Sequence, residues 1–229
     1  MLKANLCRIR ERIASVCSKI NREPESITIV AVCKNRTVEE IREAIAVGIT
    51  DIGENKVQEA IAKYNKLSAV SCQLSASKWH MVGHLQSNKV KQAVKIFDLI
   101  HSVDSLKLAE GINRQAESFA KVQDILLEVN TSGEASKYGL RPEETIGVIK
   151  GLAGFKNLNI KGLMTIAPIV DNPEDARPYF KSLRELRDKI NNLRLITYDL
   201  QLSMGMSDDF EAAIEEGADI VRLGRAIFE

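Results

Sequence analysis

The sequence has few of the residues that staple, anchor or export a chain. Its four cysteines, Cys7, Cys17, Cys33 and Cys72, form no CxxC pair and show no zinc-like spacing. A chain of 229 residues can bury enough core to fold without a disulfide scaffold. A reducing, cytoplasmic setting is therefore expected. No stretch approaches the roughly 20 apolar residues of a membrane span. The opening MLKANLCRIRERI mixes charged with apolar residues where an export signal would be continuously apolar. Charge of one sign is missing too: 32 basic against 31 acidic residues leave +1, so neither nucleic acid nor an anionic membrane is expected as a partner. No Gly/Ser-rich or Pro-rich linker divides the chain, which argues for one domain over residues 1–229.

What is present is a regular alternation. Leu2, Leu6, Ile9, Ile13, Val16 and Ile20 recur at spacings of three and four, predicting an opening helix with one apolar stripe. ITIVAVCK is short and apolar on both faces, as a strand buried in a parallel sheet is. Thr37 and Glu40 make a capping box for a helix that Gly48 can stop. Further strand signals lie in DIGEN, WHMVGHLQ, LIHSVD, DILLEVNT, IKGLMTIAP, DLQLSMGM and IVRLGRAIF, with helical segments between them. Ser105 begins one of these helices, Pro142 stands at the first position of another, Asn172 caps a third before Pro173, and Gly217 ends a fourth. Eight strands alternating with helices predict an α/β fold, a single (β/α)8 TIM barrel with an extra N-terminal helix. No helix is expected after the eighth strand, where the opening helix could cover the gap. The alternative, an open doubly wound sheet, would favour an early GxGxxG turn, and none is present.

Lys34 ends the first strand, and barrel active sites are built at carboxyl ends of strands. A lysine near apolar walls loses its charge readily, leaving an amine able to attack an aldehyde. A solvated strand-end lysine is the plainer alternative. The loops after strands seven and eight, where barrels commonly hold phosphate, offer Ser203, Gly205 and Ser207 ahead of a helix, then Gly224 and Arg225. An ordinary cap and a tight turn remain possible there. Arg222, inside the apolar IVRLG, needs a buried partner, either a carboxylate or the pyridine nitrogen of a cofactor. His80 and His84 lack a third ligand, so no metal is expected. Cys33 and Trp79 read as core, and the Asp208, Asp209 and Glu211 cluster as favourable charge in a helix's first turn. No Ser/His/Asp order or carboxylate pair suggests a catalytic centre.

The segments AVCKNRTVEEIREAI, DIGENKVQEA, WHMVGHLQSNKV, HSVDS, EVNTSGEASKYGL, KGLMTIAP and LSMGMSDDFEAAIEEGADIVRLGRAIF run in fixed order over nearly the whole chain. They closely resemble the pyridoxal phosphate homeostasis proteins, similar in turn to the N-terminal barrel of alanine racemase, a fold type III barrel. The resemblance implies pyridoxal 5'-phosphate as cofactor, held as a Schiff base on Lys34. It implies phosphate contacts from Ser203, Gly224 and position 225, and Arg222 facing the ring nitrogen. Asn55, His80 and Ser207 look like pocket residues of the family. Lys137 matches a lysine of the motif and receives no role. Position 225, often a small hydroxyl residue in such proteins, is Arg225 here, so only its backbone amide carries over. Cys33 stands where serine is common. The family often continues past the position of Glu229 with a short polar tail, so a trimmed end is expected.

The implied function is cofactor handling within vitamin B6 homeostasis, with pyridoxal-phosphate-dependent apoenzymes as possible recipients and a monomer as the expected state. An amino-acid racemase is the first alternative, but alanine racemase draws an acid/base tyrosine from a second domain for which this chain has no residues. A cofactor-free Schiff-base aldolase is the second; it leaves the two phosphate-ready loops and the arginine unexplained.

Overall fold

The apolar stripe of the opening segment becomes α1 (Leu2–Lys19), which buries Leu2, Leu6, Ile9, Ile13 and Val16 on one side, as a spacing of three and four requires. The computed structural model describes residues 1–68, 77–196 and 198–229; Cys72 lies outside them.

After α1 the chain alternates: β1 (Thr28–Val32), α2 (Val38–Ala46), β2 (Asp51–Glu54), α3 (Val57–Ser68), β3 (Lys78–Met81), α4 (Val90–Ile96), β4 (Leu99–Val103) and α5 (Leu106–Ser118). It continues through β5 (Gln123–Glu128), α6 (Pro142–Leu152), β6 (Leu158–Met164), α7 (Arg177–Asn192), β7 (Gln201–Ser203), α8 (Phe210–Glu215) and β8 (Ile220–Leu223). Among the described residues these strands are parallel and close into a barrel in sequence order. The seam pairs β1 with β8 from Thr28↔Ile220 to Ala31↔Leu223. This is the predicted TIM barrel with its leading helix.

Local signals act where they stand. Thr37 and Glu40 form both halves of the capping box, Ser105 caps α5, and Pro142 opens α6. Asn172 caps a 3-10 turn, Pro173–Ala176, and α7 itself starts at Arg177. One expectation is corrected: a helix does follow β8, the single turn α9 (Arg225–Phe228). Four residues are too few to show a 3.6-residue period. The opening helix also covers this side of the barrel, with Asn5 Nδ2 donating to the Ile227 carbonyl (3.1 Å) and Arg12 paired with Glu211 of α8 (2.8 Å).

Inside the barrel, Val30, Val82, Leu99, Leu126, Met164 and Ile220 form a small apolar cluster separate from the larger core between sheet and helices. The rest of the interior is polar. Asp51, His80, His101, Ser203 and Arg222 are all buried, projecting from β2, β3, β4, β7 and β8. Among the described residues, no helix is long and apolar enough to cross a membrane.

Candidate functional site

The carboxyl ends of the strands bring most of the expected residues to one end of the barrel. Lys34 lies in the turn beyond β1, exposed, ahead of Asn35 at φ +58°. Two contacts hold that turn. Cys33 N donates to the Gly53 carbonyl (2.8 Å), and Lys63 of α3 donates to the Cys33 carbonyl (2.7 Å) while pairing with Glu54 (2.6 Å). Burial raises the Glu54 carboxyl above its usual range against the opposing pull of Lys63. The Cys33 thiol is pushed up by burial and by Glu54, so it is an un-ionised core group.

Asn55 follows β2, and its Oδ1 is buried without a hydrogen-bond partner among the described residues. A Cβ at Gly83 would lie 2.4 Å from the Asn55 carbonyl oxygen, so the glycine of WHMVGH is what admits the Asn55 backbone. Gly224 adjoins the end of β1: a Cβ there would stand 3.7 Å from Val32 Cβ. Ser207 Oγ accepts from Ala226 N (3.2 Å), joining the loops after β7 and β8. The exposed Arg225 guanidinium is paired with Asp208. Gly205, at φ +91°, lets its loop lie against α8, since a Cβ would stand 2.6 Å from Ala213 Cβ. Its carbonyl accepts from Arg222 N (3.0 Å).

Arg222 lies beneath this rim, 4% exposed. It donates from Nη1 to Ser203 Oγ (2.7 Å) and from Nη2 to the Thr165 carbonyl (2.8 Å). Thr165 Oγ1 in turn donates to the Val129 carbonyl (2.8 Å). A guanidinium carries five N–H donors, so among the described residues Arg222 has donors to spare. Burial lowers its pKa, while the Glu128 and Asp209 carboxylates favour the charged form.

Two of the expected residues, Ser203 and His80, lie deeper. Ser203 is fully buried, its hydroxyl taken by Arg222 and by His101 Nδ1 (2.9 Å), so it faces the barrel interior and not the anion loops. His80 is also interior, between Asp51 Oδ1 (2.9 Å) and His101 Nε2 (2.9 Å). Strand alternation places both residues on the inner face; it does not say at what depth. His84 is elsewhere, stacked on Tyr138 with centroids 3.7 Å apart and set 3.4 Å from Asp104. No cluster of three metal-ligating side chains occurs among the described residues. Lys137 pairs with Glu134 (2.9 Å). Of the acidic cluster, Asp208 and Glu211 are ion-paired, whereas Asp209 is buried and accepts from Met206 N (2.6 Å).

Sequence reasoning misses Asp51, His101 and Glu128. Each stands in a quoted motif, DIGEN, HSVD or EVNT, and a polar residue inside an otherwise apolar strand was the available signal. Glu128 is 6% exposed with Oε2 unpartnered. Burial, aided by Asp104 and opposed by Arg222, pushes its pKa up to about 7.

Comparison with known proteins gives consistent results. The family model for the alanine racemase N-terminal domain matches residues 4–229. A pyridoxal phosphate homeostasis protein of Aquifex aeolicus is 42% identical over 223 residues, 97% of this chain and 95% of that one. Its Escherichia coli counterpart is 35% identical, covering 98% and 94%. The solved structure of Synechococcus elongatus PipY with pyridoxal phosphate bound superimposes with a TM-score of 0.83 at 36% identity, covering 96% of this chain and 100% of that one. Alanine racemase of Clostridium difficile shares the fold alone, with a TM-score of 0.74 at 18% identity over 58% of its length. With near-complete coverage in both directions and identities well above 30%, the chain belongs to the pyridoxal phosphate homeostasis protein family.

Proposed function

We propose that this chain binds pyridoxal 5'-phosphate at the carboxyl end of the barrel, as a Schiff base on Lys34, and buffers or delivers the cofactor within a cytosolic vitamin B6 pool. The observation that carries the reading is Arg222: a guanidinium buried directly under the rim, with N–H groups left over beside two loops suited to an anion. Such a group matches a pyridine nitrogen as acceptor, and because arginine keeps its proton it would leave the ring unprotonated. In this reading the side-chain phosphate contact comes from Ser207, next to Gly224 and the backbone of Arg225, because the Ser203 hydroxyl is taken by Arg222 and His101. Asn55, with its unpartnered Oδ1, would meet the cofactor from β2. Exposure of Lys34 leaves its amine able to reach an incoming aldehyde, whose oxygen departs as water. When bound, pyridoxal phosphate supplies that aldehyde and an electron-withdrawing ring.

In this reading the protein acts as one domain, a monomer, without a catalytic residue of its own. Glu128 favours a second reading, weak racemase-like activity, because a carboxyl titrating near neutrality can hold or release a proton beside the site. The test is to incubate the purified protein with pyridoxal phosphate, record the visible spectrum, reduce with borohydride and map the modified peptide. A yellow protein labelled at Lys34, with Lys34→Ala colourless, is expected; no colour, or label elsewhere, overturns the proposal. Substantial racemisation of single-enantiomer alanine would move the assignment to the enzymatic reading.

A further inference from the structure

The polar residues inside the barrel form a continuous series that the cofactor contacts leave unexplained. Arg222 Nη1 reaches Ser203 Oγ at 2.7 Å, Ser203 Oγ reaches His101 Nδ1 at 2.9 Å, His101 Nε2 reaches His80 Nδ1 at 2.9 Å, and His80 Nε2 reaches Asp51 Oδ1 at 2.9 Å. Every member is more than nine-tenths buried. Placing five such groups where apolar side chains would fill the barrel is costly unless each polar atom is matched.

The two ends dictate the direction. A guanidinium only donates, and an ionised carboxylate only accepts. Burial works against the Asp51 carboxylate, yet hydrogen bonds from His80 and Thr50 hold it below the usual range, so it is charged. Asp51 accepts from His80 Nε2; a single proton on that ring leaves Nδ1 to accept from His101 Nε2. Burial, with the Arg222 charge beside it, keeps His101 from protonating. Its Nδ1 therefore accepts the hydroxyl hydrogen of Ser203, whose oxygen accepts from Arg222. In this arrangement every donor meets one acceptor and all four hydrogen bonds point the same way.

We propose that Ser203, His101, His80 and Asp51 are positioning residues: a one-directional relay that fixes the Arg222 guanidinium from behind and sets its donor strength toward the cofactor ring from the opposite end of the barrel. The proposal rests on Arg222 facing that ring. Aligned hydrogen bonds polarise one another, so the negative charge of Asp51 is felt at Ser203 and moderates the charge Arg222 presents at the rim. Asp51 and His80 line a cavity of about 690 Å³ at the amino-terminal end, together with Lys78, Asp98 and Lys161. The charged groups bearing on the series besides its own members are Lys78 at the Asp51 end and Glu128 and Asp209 at the Arg222 end.

The test has two arms. In the apoprotein, nitrogen-15 NMR of histidine and arginine side chains should show both His80 and His101 as neutral Nε2–H tautomers. Asp51→Asn, which keeps the shape and removes the charge, should move the His101 and Arg222 signals. In the Ser203→Ala background the same change should no longer reach Arg222. In protein loaded with pyridoxal phosphate, Asp51→Asn should move the pH midpoint of the visible chromophore by about half a unit, although residue 51 touches no cofactor. A His101 signal blind to Asp51→Asn, or a loaded variant with the parent midpoint, overturns the relay. A parent protein that takes up no pyridoxal phosphate overturns the cofactor reading instead, and the first arm still decides the relay.

Discussion

Glu128 holds a proton near neutral pH because the barrel interior cannot solvate its charge and Asp104 adds repulsion, with Arg222 only partly opposing. At acid pH the carboxyl is protonated in both folded and unfolded chains and contributes nothing to stability. From the ordinary value near 4.5 up to about 7 the folded protein keeps the proton that the unfolded chain has released. Stability therefore falls as pH rises through that window and levels off above it, by about 3 kcal/mol. Glu128→Gln should flatten this dependence, so that urea midpoints at pH 5.5 and pH 8 converge; equal slopes for parent and variant would contradict the assignment. Lys34, Arg222 and Gly224 drew attention as single residues because each stands at a strand end or breaks a local pattern, whereas Asn55 entered only through the family resemblance. The partners of Arg222 were not. Ser203 and the Thr165 carbonyl meet it only after the barrel closes, the latter from 57 residues away.

Among the elements, α2 is the one whose local chemistry bears most directly on the site. Its capping box occupies Thr37 and Glu40, three residues beyond Lys34, so fraying of this end would loosen the turn that carries the amine. Thr37→Ala should cost about 1 kcal/mol, read as a lower denaturant midpoint at unchanged slope, together with weaker cofactor retention. A lost cap that left both untouched would show that Lys63 alone holds the turn through Cys33 and Glu54. The starts of α2, α5 and α6 were readable because caps and N1 prolines act over three or four residues. The single turn of α9 was not, and its buried Ile227 and Phe228 owe their helical state to packing against α1. Asn172 marks a related limit: the cap is real, but what it opens is a 3-10 turn leading into α7.

For the molecule as a whole, a ligand that binds only the folded chain adds stability by mass action, about 2.7 kcal/mol at a hundredfold excess over its dissociation constant. For a chain of this size that corresponds to a rise in melting temperature of roughly 5–10 °C. Pyridoxal phosphate should produce it by differential scanning calorimetry, and Lys34→Ala should lose most of it; a parent protein whose transition ignores the cofactor would count against the site. The eightfold alternation made the barrel legible from end to end, since each strand and helix declares its own period. Depth inside the barrel was not legible, because alternation assigns a face and curvature assigns the neighbours.

The seam joins the first strand to the eighth, and the proposed amine and anion loops stand on opposite sides of it. Until the eighth strand closes on the first, the amine beyond β1 and the Gly224 turn beyond β8 are not brought together, so the proposed site is assembled only in the finished ring.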